Sequence, residues 1–135
     1  MKQLELQFNI ESQYENIGSF YFKEKEMNAK EEFLLFVNDK RIKSTIKCAY
    51  ISYYTDGNYI NKKTILLKVN YTEKQFQDFL EKLDFEYDNY DNYDTTNHIT
   101  GIIWFRDGSW GEREFSEGKE WWEFKRTPVI PFDLI

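Results

Sequence analysis

Apolar and polar positions alternate over much of this chain, the period of half-buried β-strands, and change to a helical period in one clear stretch. That stretch begins at Thr72, whose hydroxyl is suited to accept from an orphan amide of a first helical turn, with Glu73 near the positive end of the helix dipole. Phe76, Phe79, Leu80 and Leu83 follow at i, i+3, i+4 and i+7, and Lys74, Gln77, Asp78, Glu81 and Lys82 fall opposite them. The spacing predicts an amphipathic helix over about 73–83 that buries its apolar stripe on a sheet.

Around it the pattern predicts strands. Leu4, Leu6, Phe8 and Ile10 alternate with polar residues, and 18–22 reads as a second strand. Residues 46–54 and 63–71 read as a hairpin turned at Asp56-Gly57, with Ile65, Leu67, Val69 and Tyr71 sharing a face. Residues 28–37 admit two readings. Asn28 and Glu31 have capping-box spacing for a short helix, whereas Phe33-Leu-Leu-Phe-Val37 is a β-rich apolar run bounded by the turn Asn38-Asp-Lys40. The shortness of that run favours the strand.

Residues 99–106, 110–115 and 120–125 read as three strands of a meander. A two-residue Asp107-Gly108 turn joins the first two and sets Phe105 opposite Trp110; Glu117-Gly118 joins the second pair. Thr127-Pro-Val-Ile-Pro131 ends the sheet, because proline cannot donate to a ladder. Between helix and meander, residues 84–97 repeat Asp-Asn-Tyr and read as an exposed acidic linker. The expected architecture is α+β: an antiparallel, meander-rich β-sheet with one amphipathic helix packed on one face, in a single domain over 1–135.

Composition strengthens the sheet reading. Aromatic residues make up 19 % of the chain, and flat rings fit pleated surfaces. Cys48 is the single cysteine, which excludes an internal disulfide and favours a reducing compartment such as the cytoplasm. No apolar run is long enough to span a bilayer, so no membrane role is expected.

Charge is uneven within a net of −6. Residues 39–68 carry seven Lys or Arg against two Asp, and residues 69–99 carry eight acids against two Lys. An acidic surface disfavours direct nucleic-acid binding and suits a basic protein partner. The basic residues Lys40, Arg41, Lys43, Lys47, Lys62 and Lys63 are suited to a local phosphate contact, or to the acidic segment of a second copy in a homodimer.

Catalytic chemistry finds little footing. His98 is the only histidine, and as a base or metal ligand it would need Asp91 or Asp94 beside it. Cys48 lies in a strand and reads as structural. A calcium loop starting at Asp84 would need Gly and Glu where Asn89 and Thr95 stand, so no metal and no cofactor is expected. Glu112, Glu114, Glu120 and Glu123 among the tryptophans suit a small carbohydrate- or nucleotide-acting enzyme. The plainer reading has Trp104, Trp121 or Trp122 filling the helix-facing side while Arg113 pairs with a glutamate across the sheet. The sharper candidate is a partner-binding strip: Asp84, Glu86, Asp88, Tyr90, Asp91, Tyr93 and Asp94 alternate carboxylates and rings, as phosphates and bases alternate in a nucleic-acid strand.

Several motifs occur together: Leu83-Asp-Phe-Glu-Tyr-Asp88, Gly101-Ile-Ile-Trp-Phe-Arg-Asp-Gly-Ser-Trp110, Arg113, Gly118-Lys-Glu-Trp-Trp-Glu123 and Pro128-Val-Ile-Pro131. This pattern resembles that of small uncharacterised proteins of phages, prophages and plasmids, over about residues 65–131. Where that pattern has a glycine-rich segment after Tyr-Asp, this chain has Asn-Tyr-Asp-Asn-Tyr-Asp. The resemblance implies a non-enzymatic inhibitor of host defence in the manner of an anti-CRISPR protein, with a basic host protein such as a CRISPR-associated nuclease as partner. An immunity or antitoxin protein that binds a toxin is the alternative.

Overall fold

A computed structural model describes residues 26–54, 61–88 and 98–135. The order is β1 (Glu26–Asn28), α1 (Ala29–Val37), β2 (Ile46–Tyr54), β3 (Lys62–Leu67), α2 (Glu73–Lys82), β4 (Glu86–Asp88), β5 (Ile99–Phe105), β6 (Trp110–Ser116) and β7 (Lys119–Lys125), then a 3-10 turn at Phe132–Leu134. Five strands form an antiparallel sheet in the order β3-β2-β5-β6-β7, and β1 pairs with β4 in a separate two-stranded ribbon. The fold is α+β, as the alternation predicts.

Helix α2 follows its sequence signals. Thr72 and Gln75 make a reciprocal capping box, and Phe79 and Leu80 are buried. Such a cap contributes about 1 kcal/mol. Its Phe79 meets Phe33 of α1 edge-on, with ring centroids 5.4 Å apart, so the two helices share one face of the sheet. Between helices and sheet lie Ile51, Ile65, Leu67, Ile103, Phe105 and Trp122.

Residues 29–37 are a helix, which corrects the strand reading. The side chain of Asn28 accepts from the Glu31 amide at 2.9 Å, and Ala29, Phe33 and Phe36 are buried at i, i+4 and i+7. A strand would bury alternate residues; here Leu35 is exposed. The local run of five apolar residues hid a helical stripe that begins earlier, at Ala29. Phe36 stacks on Trp122 at 6.0 Å and lies over Gly111 of β6, where a Cβ would collide with its ring. The glycine is what lets α1 approach the sheet.

The first meander turn also differs from expectation. Trp104, not Phe105, pairs with Trp110. The Phe105 amide donates to the Ser109 carbonyl, the Gly108 amide donates to the Phe105 carbonyl, and of the turn residues only Gly108 has positive φ, at 95°. A two-residue type I′ turn requires two such residues, so the loop is longer and the register shifts by one. Asp107 holds it by accepting from both the amide and the hydroxyl of Ser109. Glu117 and Gly118 do both have positive φ, and that two-residue turn is as expected.

Strand β3 ends at Leu67, earlier than predicted, and Val69 is exposed. The residues read as strands 4–10 and 18–22, and the Asp56-Gly57 turn, lie outside the described residues.

Candidate functional site

The acidic strip begins where α2 ends. Asp84 and Glu86 are exposed, and the Asn28 side-chain amide donates to both, at 3.0 and 3.3 Å. One asparagine therefore caps α1 through its oxygen and holds two carboxylates through its nitrogen. Lys30 lies 3.7 Å from Asp84. The Asn28 hydrogen bond, helped by the Lys30 charge, holds the Asp84 carboxyl below the usual range.

An exposed linker over 84–97 is corrected in its first part. Residues 86–88 form β4, with Asp88 in register with Glu26, and Tyr87 is buried. The physical reason is Tyr87 itself: its ring is too apolar to leave in water, and its hydroxyl finds partners inside. Tyr90, Asp91, Tyr93 and Asp94 lie outside the described residues.

Behind Tyr87 lies a buried charged cluster. Arg113 of β6 donates from Nη1 to Glu32 of α1 at 2.9 Å, from Nε to Glu120 of β7 at 3.2 Å, and from Nη2 to the Tyr87 hydroxyl at 2.6 Å. The Tyr87 hydroxyl donates in turn to Glu32. Glu120 accepts from the backbone amides of His98 and Ile99, at 2.6 and 3.0 Å, and lies 2.9 Å from Nδ1 of His98. The guanidinium also covers Trp122, 5.3 Å from its ring centroid.

Burial alone would push Glu120 up. The His98 hydrogen bond, the Arg113 charge and the two amides outweigh it and hold the carboxyl below its usual value. Burial likewise opposes the charge on Arg113, and the neighbouring Glu32 and Glu120 overcome it, so its pKa is raised. Burial drives the Tyr87 phenol up. The side chains of Arg113 and Glu120 are 1 % and 2 % exposed, out of reach of a substrate. The cluster ties α1, β4, β6 and β7 together; it is a structural knot.

The remaining glutamates are also engaged. Trp110 donates to Glu112, Trp121 to Glu123, and Lys125 to Glu114. Of the tryptophans expected on the helix-facing side, Trp122 is there; Trp104 and Trp121 are exposed. Arg113 does pair with a glutamate, and recruits a second from α1. Cys48 is half-buried. Among the described residues no group of His, Cys, Asp and Glu could hold a metal ion, and no helix is long and apolar enough to cross a membrane.

The basic residues divide. Lys47 lies on β2 and Lys62 and Lys63 on β3, whereas Lys40, Arg41 and Lys43 meet Lys125 and Arg126 around an open cleft of about 750 Å³ that also includes Trp110 and Phe124. Sequence reasoning registered the first half of this cleft as a basic run and missed the second. The Lys125-Arg126 pair after an aromatic strand was the available signal. Compared with protein-family models, curated proteins and solved structures, the chain matches none.

Proposed function

We propose that this is a non-enzymatic binding protein of a phage or mobile element, which blocks a basic nucleic-acid-binding surface of a host defence nucleoprotein such as a CRISPR-associated nuclease. The strip running from Asp84 through Glu86, Asp88 and Asp91 to Asp94, with Tyr90 and Tyr93, makes the contact. One observation carries the reading: Asp84 and Glu86 are exposed carboxylates held by Asn28 on an ordered support, with buried Tyr87 anchoring the strand between Glu86 and Asp88. Carboxylates already positioned lose less entropy on meeting a partner's arginines and lysines. The engaged state of Glu112, Glu114, Glu120 and Glu123 favours binding over hydrolysis.

The test is capture of the tagged protein from a susceptible host, followed by assay of the captured nuclease. A basic nucleoprotein should be recovered and inhibited. The triple change Asp88→Asn, Asp91→Asn and Asp94→Asn should abolish inhibition without moving the thermal melt. Retained inhibition in that variant, or capture of a toxin instead, defeats the proposal.

A further inference from the structure

Asp84 and Glu86, the described carboxylates of the acidic strip nearest Asn28, lie near the N-terminus of α1, and the basic cleft lies just beyond its C-terminus. Among the described residues no carboxylate lines that cleft, although the whole chain carries a net charge of −6. The side chains of Lys40, Lys43 and Arg126 form no ion pair among the described residues. In a chain this acidic, cations that form no ion pair around a concave surface form a local site for anions.

The other cleft groups are fixed in place. Asp39 accepts from Nε and Nη2 of Arg41, at 3.0 and 3.1 Å, and the guanidinium lies 5.8 Å from the Phe124 ring centroid. Lys125 is held by Glu114 and Glu112, which neutralise it. The Trp110 indole is anchored to Glu112 at 3.1 Å. In the strand ladder Trp110 has Lys125 on one side and Trp104 on the other, and Trp104 is 40 % exposed. Two indoles thus stand side by side on adjacent strands, next to unpaired cations.

We infer that the cleft and the adjoining Trp104 bind single-stranded nucleic acid. Lys40, Lys43 and Arg126 take its phosphates, and the Trp110–Trp104 pair stacks its bases. Phosphate chemistry accounts for the cations, and unpaired bases account for the rings, since stacking on aromatic side chains requires bases freed from a duplex. An acidic peptide would satisfy the cations and leave the indoles without a role. The inference is independent of the acidic-strip reading, because it concerns the opposite end of α1 and needs no host protein.

The experiment is fluorescence anisotropy of the purified full chain with a labelled single strand of about 12 nucleotides, within the span such sites cover. Saturable binding to the strand is expected, with at least tenfold weaker binding to the matching duplex. With three phosphate contacts, log K should fall against log salt with a slope of about −2. The triple change Lys40→Ala, Lys43→Ala and Arg126→Ala should weaken binding about tenfold or more and flatten that slope. Trp104→Ala should weaken it by about tenfold while leaving the slope in place. Absence of binding, equal affinity for the duplex, a triple variant that binds like the parent, or equally effective competition by a mononucleotide would each overturn the inference. Trp104 is surface-exposed and the three cations are solvated, so these variants should fold; a circular dichroism melt verifies that they do.

Discussion

Two charged regions of this protein are built on opposite plans. Around Arg113 the charges are inside and bonded: two carboxylates, the phenol ring of Tyr87 and the indole of Trp122 close over one guanidinium. Around the cleft the charges are outside, and three of the cations have no ion partner among the described residues. The first arrangement stabilises only if every member is present, because a buried charge left alone is costly. The second contributes little to folding and is open to a ligand. Density of charge therefore does not separate the two regions; burial and pairing do.

The largest expected effect falls on the buried side. Arg113→Met leaves Glu32, Glu120 and Tyr87 without their shared donor, and should cost about 3–5 kcal/mol in urea unfolding. A loss below about 1 kcal/mol would mean that water enters the cluster and the comparison collapses.

The next effect is a pH dependence. The Glu120 carboxyl is held below its ordinary value of 4.5, so its bonds stabilise fully above that pH and are lost as pH falls through the lowered folded value. Melting temperature should decline on acidification from neutral pH to about pH 3, and part of that decline should vanish in Glu120→Gln, which cannot titrate. Identical acid limbs in parent and variant would assign the loss to other groups. Tyr87 works at the other extreme: its phenol is raised, so its contribution is lost as pH rises above the ordinary value of 10.0.

The smallest effect belongs to the cleft. Lys40→Ala, Lys43→Ala and Arg126→Ala together should shift stability by no more than about 0.5 kcal/mol, since exposed residues outside a network seldom matter to folding. A large loss of stability would show that the cleft belongs with the core.

How much of this could be read in advance depended on how local each signal was. Thr72, Glu73 and the Phe76–Leu83 stripe are neighbours in the chain, and α2 formed where they point. The β5–β7 meander was equally legible, because its strands follow one another; even there, a loop longer by one residue displaced Trp104 against Trp110. Helix α1 is harder to see because Phe33–Val37 looks the same to a strand and to a helix until Ala29 is included. The buried cluster was hardest to read. Glu32, Tyr87, His98, Arg113 and Glu120 come from distant parts of the chain, and no periodicity announces their meeting. The cleft has the same origin: residues 40–43 and 124–126 meet only after α1 has docked on the sheet.

The strand order has a kinetic consequence. Strands β5, β6 and β7 are joined by tight turns, so their pairing closes short loops, whereas β2 must find β5 across all of β3, α2 and β4, pairing Tyr53 with Ile99 and Ile46 with Phe105. Long loops delay such encounters. The C-terminal hairpins can therefore be present at the rate-limiting barrier while the Glu32–Arg113 bond, which needs α1 in position, forms on the downhill side. On that path the bond sets how long the native state lasts more than how fast it is reached, and its loss should appear chiefly as faster unfolding.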